Sequence, residues 1–198
     1  MYKYQTITKR ADGLYKDKGS KFIGIALPIN SEDEFREALQ NIKQEYKDAR
    51  HHCYAFSIGA NGTTYRYSDD GEPNNSAGKP IYGQILSFGI TNVLVVVVRY
   101  FGGTKLGVGG LIQAYREAAK EALQNAVIIE KEDEQTVDIH FPYDSMNAVM
   151  RLVKNFDLEI VKQDFQQDCI IKVRISLSKM EEVKGNVKAI ENAELILT

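Results

Sequence analysis

Tryptophan is absent from the 198 residues, and only two cysteines and three histidines are present. Cys53 and Cys169 lie far apart inside strand-like runs. That placement excludes a disulfide framework and a cysteine metal pair, and reads as two buried thiols. No apolar run reaches membrane-spanning length, and Met1-Tyr2-Lys3-Tyr4 carries no apolar signal region. The expectation is a cytoplasmic protein with no membrane partner. An excess of either charge is missing too. A formal net charge of −2 excludes nucleic-acid binding by bulk electrostatics, so such contacts must come from a local patch. Internal repeats and low-complexity segments are lacking, and no Ser/His/Asp or Cys/His set has support beyond coexistence in the chain.

What is present is ordinary globular composition, 43% hydrophobic and 26% charged, in a chain long enough for one or two cores. Its organising stretch is Val93-Leu94-Val95-Val96-Val97-Val98, an unbroken apolar run that predicts a strand buried on both faces. After Arg99-Tyr100-Phe101 comes a glycine-rich loop, Gly102, Gly103, Gly107, Gly109 and Gly110, with Thr104 and Lys105 between. Leu111, Ile112, Tyr115, Ala118, Ala119, Ala122 and Leu123 then follow at helical spacing. A cationic, glycine-rich loop entering a helix N-terminus favours an anion. Lys105 precedes Gly107, so the Walker-type pattern fails. Gly107-Val108-Gly109-Gly110-Leu111-Ile112 lacks the last glycine of the dinucleotide pattern. The same glycines also suit a tight strand-to-helix turn.

Elsewhere, residues 2–8 alternate as a strand, a turn is expected at Asp12-Gly13, and residues 20–27 form the next strand. Ser31 with Glu34 makes a capping box for a helix ending near Tyr46. Residues 53–58 and 63–67 read as a hairpin about Asn61-Gly62, with both turn residues at positive φ. A polar loop over residues 68–80 leads to a short helix ending at Gly89. After a short strand at 126–129, Glu130-Lys131-Glu132-Asp133-Glu134 reads as a linker. Beyond it the order is βαββαβ, a ferredoxin-like unit with a tight turn at Gln166-Gln167-Asp168. What little positive bias the chain has lies before the linker.

Arg50-His51-His52 precedes a strand, where adjacent side chains point to opposite faces, so the two histidines do not share one metal. One histidine with Asp69, Asp70 or Glu72 could form a hard-cation site. Asp-Asp-Gly and Glu-Pro are equally turn chemistry, and that reading is preferred. Tyr65, Tyr67, Tyr100 and Phe101 beside Arg66 and Arg99 suit stacking and phosphate contact, or the rim of a sheet.

Three segments, read together with Lys18-Gly19-Ser20-Lys21-Phe22-Ile23, carry a family resemblance. They are Asp48-Ala49-Arg50-His51-His52-Cys53-Tyr54-Ala55; Tyr67-Ser68-Asp69-Asp70-Gly71-Glu72-Pro73 with Ala77-Gly78-Lys79-Pro80; and Val97 to Gly103 continuing to Leu106–Leu111. The chain resembles the YigZ/IMPACT family, and its βαββαβ tail resembles the bacterial branch. Asn74-Asn75-Ser76 departs from the small, glycine-containing segment of relatives.

The resemblance implies an α+β protein. Residues 1–131 would form an α/β domain of the fold shared by a ribosomal-protein domain and the GHMP kinases, with a left-handed βαβ crossover. Residues 135–198 would form a ferredoxin-like domain similar to those of elongation factor G. It also implies a role in translation, since eukaryotic members regulate initiation by binding a partner of a stress kinase. Polar residues in loops beside β-runs are where binding groups collect. The expected contact face is Arg50, His51, His52, Asp69, Asp70, Glu72, Lys79, Arg99, Tyr100, Gly102, Gly103, Lys105, Gly107, Gly109 and Gly110. Its expected partner is RNA or a ribosome-associated protein. No catalytic residue, metal ligand or cofactor is assigned, and the oligomeric state is left open. The alternatives are a nucleotide- or phosphate-binding protein or enzyme using the Gly102–Gly110 loop, and a protein-interaction module.

Overall fold

Val93–Tyr100 is the centre of the first sheet because every second residue has an apolar partner on each side. Val93, Val95 and Val97 pack into one core with two helices, while Leu94, Val96 and Val98 pack into another with a third helix. A computed structural model describes residues 3–166 and 168–197, so Tyr2 of the expected first strand and Gln167 of the expected turn lie outside the described residues. The elements of the first unit are β1 (Lys3–Ile7), β2 (Ala11–Asp17), β3 (Ser20–Pro28), α1 (Glu32–Glu45), β4 (His51–Ile58), β5 (Thr64–Ser68), α2 (Gly78–Phe88), β6 (Val93–Tyr100), α3 (Gly107–Gln124) and β7 (Ile128–Glu132). The second sequence half supplies β8 (Glu134–Pro142), α4 (Met146–Asn155), β9 (Glu159–Phe165), β10 (Asp168–Ser176), α5 (Met180–Lys188) and β11 (Glu194–Leu197). The protein is α+β.

The five-stranded sheet runs β2-β3-β6-β4-β5, with every neighbouring pair antiparallel. Burial on both faces therefore comes from helices on either side, not from parallel pairing. Since β3 and β4 both pair antiparallel with β6, they are parallel to each other, and α1 carries the chain across β6. Ser31 accepts from the Glu34 amide at 3.2 Å while the Glu34 carboxylate takes the Asn30 N–H at 2.7 Å. A reciprocal cap of this kind fixes where α1 starts.

Three local expectations are corrected. Asp12-Gly13 is not a turn but lies within β2, and the turn is Lys18-Gly19, with φ of 44° and 81°. Gly13 and Gly24 face each other in the ladder. A Cβ on Gly13 would sit 2.4 Å from Ala122 N, and one on Gly24 2.2 Å from Ala118 O. These glycines let α3 approach the sheet. The β4–β5 hairpin pairs only as far as Ile58 and Thr64, so its loop is five residues long, 59–63. Gly59 and Gly62 take positive φ there and Asn61 does not, because Gly62 N–H donates to Gly59 O at 2.8 Å. The two units part within the charge run, between Lys131 and Glu132. Its residues extend β7 and begin β8, leaving Asp133 alone between strands, and β7 pairs with β1 in a two-stranded sheet. Finally, α3 starts at Gly107, so Gly107, Gly109 and Gly110 belong to its first turn rather than to the loop.

By packing, Lys3–Lys131 is one compact unit and the described residues from Glu132 onward are another. The second has the order βαββαβ and an antiparallel sheet β11-β8-β10-β9. Alternating Val137, Ile139, Phe141 on β8 and Ile171, Val173, Ile175 on β10 face the apolar stripes of α4 and α5. No helix among the described residues is long and apolar enough to cross a membrane.

Candidate functional site

Four pieces of the first unit converge beside the C-terminal end of β6: the start of β4, the loop from Ser68 to Ala77, residues 101–106, and the N-terminus of α3. The loop is held by its acidic residues. Asp69 spends its carboxylate on three backbone N–H groups, of Asn75 at 2.8 Å, Ala77 at 2.9 Å and Gly78 at 2.8 Å, and so caps α2 from a distance. Asp70 accepts from the His52 N–H at 2.7 Å and, through its carbonyl, from His51 Nδ1 at 2.8 Å. Asp70 and Gly71 reach these positions at φ of 40° and 86°. A carbonyl can only accept, so Nδ1 of His51 carries a proton.

At the floor, Arg99 Nη1 donates to Glu72 Oε1 at 2.6 Å, with both side chains over nine-tenths buried. The Tyr115 hydroxyl donates to the same oxygen at 2.8 Å. The Arg99 guanidinium lies between the rings of Phe22 and Phe101, 5.5 and 5.6 Å from their centroids. Its Nε is buried with no hydrogen-bond partner among the described residues. Cys53 lies alongside, donating to Asp69 O at 2.9 Å. Burial pushes the Cys53 thiol and the Tyr115 phenol far up, so both are neutral donors there and Cys53 is no nucleophile.

The rim is cationic. Asp48, Arg50, His51, Glu72, Arg99, Tyr100, Phe101, Lys105 and Gly107 are among the residues lining one cleft of about 660 Å³. Glu72 is already matched by Arg99, and Asp48 accepts from the Tyr100 hydroxyl at 2.9 Å. Arg50 and Lys105 are exposed, and neither forms an ion pair among the described residues. α3 differs from its neighbours: α1 is capped by Ser31 and opens with three acids, and α2 is capped by Asp69. α3 has neither a side-chain cap nor an acid in its first turn among the described residues. Its free amides and dipole therefore open beside the cleft.

The structure thus brings Arg50, His51, Glu72, Arg99, Tyr100, Lys105 and Gly107 to one cleft. His52 is buried beneath it, with Nε2 3.1 Å from Tyr46 O. Asp69 and Asp70 position the loop. Lys79, exposed on α2, and Gly102, Gly103, Gly109 and Gly110 are not among the lining residues. Gly102 has a packing reason, since a Cβ would fall 1.9 Å from the Gly19 carbonyl carbon. Sequence reasoning missed Asp48 and Tyr115 as members of the site. Tyr115 was hidden by its place on an apolar stripe, and its hydroxyl was the one signal against a purely packing role. Among the described residues, no group of three His, Cys, Asp or Glu is placed to hold a metal.

The fold and cleft define a two-unit α+β protein whose N-terminal unit carries a polar, anion-suited cleft. The Impact N-terminal domain matches residues 18–123, which contain every residue of that cleft. The chain belongs to the IMPACT family. It is 30% identical over 182 residues to the IMPACT family member YigZ of Escherichia coli, covering 91% of this chain and 89% of that one. An IMPACT family member of Thermus thermophilus is 40% identical over 140 residues, 71% of this chain and 75% of its own. The Protein IMPACT homolog of Saccharomyces cerevisiae matches more narrowly, 33% identical over 94 residues, 46% of this chain and 36% of the yeast protein. A crystal structure described as that of a hypothetical protein superposes with a TM-score of 0.81 at 27% identity, covering 100% of this chain and 98% of the other.

Proposed function

We propose that this chain is a cytoplasmic regulator of translation that binds RNA, with the cleft at the α3 N-terminus as the place where phosphate is held. The observation carrying this reading is the uncapped, acid-free start of α3 beside Arg50, Lys105 and the half-paired Arg99. Helix amides, guanidinium and ammonium groups are the donors that phosphate oxygens accept from. Tyr100 and the exposed Phe101 add ring faces of the kind on which unpaired bases stack. Within this reading, β3–α1–β4 is the left-handed crossover of the ribosomal-protein and GHMP-kinase fold. The second unit, with its βαββαβ order, is then the ferredoxin-like domain akin to those of elongation factor G. A ribosome-associated protein as the partner is the competing outcome.

The test is fluorescence anisotropy of single-stranded RNA against the full chain over a fourfold range of salt. With about 0.7 counterion released per phosphate contact and three cationic groups engaged, the log–log slope should be near −2, a loss of roughly fifteen- to twentyfold. No binding, or binding indifferent to salt, contradicts the reading. A second reading, a nucleotide-binding protein, is favoured by one observation, the confinement of the donors to a single cleft.

A further inference from the structure

We propose that the cleft holds one nucleotide by a phosphomonoester, so that the chain recognises a terminal phosphate and not the phosphates inside an RNA strand. This rests on the reading of the cleft as a phosphate site and narrows its ligand. The ligand chemistry is a phosphomonoester on a nucleoside, whether at the end of an RNA or in a free nucleoside monophosphate.

Two independent observations point to an anion. The first is α3, 18 residues long, whose first turn has neither cap nor acid among the described residues and whose Gly107 and Gly109 have open space where a side chain would be. The second is Arg99, a cleft-lining side chain more than nine-tenths buried that commits Nη1 to Glu72 and leaves Nε without a partner. A buried donor with no acceptor is costly, and such groups in native proteins call for a functional explanation. The Phe101 ring, whose centroid is 5.6 Å from the guanidinium carbon, is 59% exposed, so one neighbour of this group is a surface side chain.

Shape and donor number select the monoester. Arg50, Arg99 and Lys105 face Asp48 and Glu72 in the cleft lining, and the unpartnered donors are Arg99 Nε and the helix amides. A monoester presents three terminal oxygens and a diester two, so the monoester can take up more of these donors. A cleft of about 660 Å³ lies within the range of small-ligand sites. Placing a diester at a buried cation requires the strand to enter and leave, whereas a terminal phosphate need only enter. Finally, Tyr100 and Phe101 line the cleft and offer ring faces to a base, which inorganic phosphate lacks.

The experiment is isothermal titration calorimetry of the full chain with one six-nucleotide RNA carrying a 5′-phosphate, a 3′-phosphate or neither, and with AMP and inorganic phosphate. A phosphorylated end should bind at least about tenfold more tightly than the hydroxyl-ended RNA, the scale of one added charge-assisted hydrogen bond. AMP should compete and inorganic phosphate should compete far less. Val108→Asp, at an exposed cleft-lining position in the first turn of α3, should raise the melting temperature, since a carboxylate suits a helix start, and yet remove the preference by repelling phosphate. Lys105→Ala, an exposed change, should weaken the preference without altering the fold. Equal affinity for all three RNAs overturns the inference and leaves the RNA reading standing. AMP binding without RNA binding supports the inference and removes the RNA reading. Binding of neither overturns both, and a preference that survives Val108→Asp overturns the inference.

Discussion

Arg99 and Glu72 form the pair on which the cleft floor depends, and a buried pair is worth most when one partner is taken away. Arg99→Ala leaves the Glu72 carboxylate buried beside Tyr115 without its cation. A loss of about 3–5 kcal/mol in urea unfolding is expected. Arg99→Met combined with Glu72→Gln removes both charges and keeps an acceptor for Tyr115, and should recover at least half of that. A double variant as unstable as the single one would show that packing, not charge, sets the cost. At this scale the sequence was informative where polar residues follow apolar runs: Arg50, His51, Arg99 and Lys105 all come to one cleft. It was silent where a role depends on a distant partner. Asp69 reads locally as a turn residue, and nothing nearby shows that its carboxylate closes a helix N-terminus eight and nine residues on.

At the scale of elements, glycine decides where α3 lies and where it begins. Gly24→Ala drives a methyl group toward the Ala118 carbonyl, a backbone atom that cannot swing aside. We expect a cost of about 1–3 kcal/mol or more, from overpacking between helix and sheet. Gly83, inside α2, has nothing within 4 Å of a built Cβ. Gly83→Ala should therefore stabilise by about 0.5–1 kcal/mol through helix propensity. Thermal unfolding of the two variants checks both signs, and equal effects would contradict the packing argument. Periodicity made β6, α1 and the stripe of α3 readable, because each buries a regular face. The Gly13–Gly24 approach was not readable, since a glycine needed by a helix elsewhere looks in sequence like a turn. The same ambiguity hid the true start of α3 at Gly107. Glycines normally interrupt helices, but these sit in a first turn whose amides have no helical partners in any case.

For the whole molecule, a net charge of −2 means that no long-range field draws in a polyanion. Binding must come from a short-range arrangement, and the first unit supplies one in which Arg99 pairs Glu72 while Arg50, Lys105 and the helix amides are unpaired among the described residues. The order of elements in the second unit was plain from sequence, with strands and helices alternating in distinct periods. The charge run read as a linker is where the units part, although its residues also belong to two ladders. The central claim is that RNA meets the chain at this cleft. Its most direct test is ultraviolet crosslinking of 5′-phosphorylated RNA to the full chain, followed by mass spectrometry of the adducts. Adducts are expected on peptides containing Tyr100 and Phe101, diminished in Lys105→Ala. Adducts confined to Tyr65 and Tyr67 on β5 or to the second unit, or no adduct at all, would contradict it.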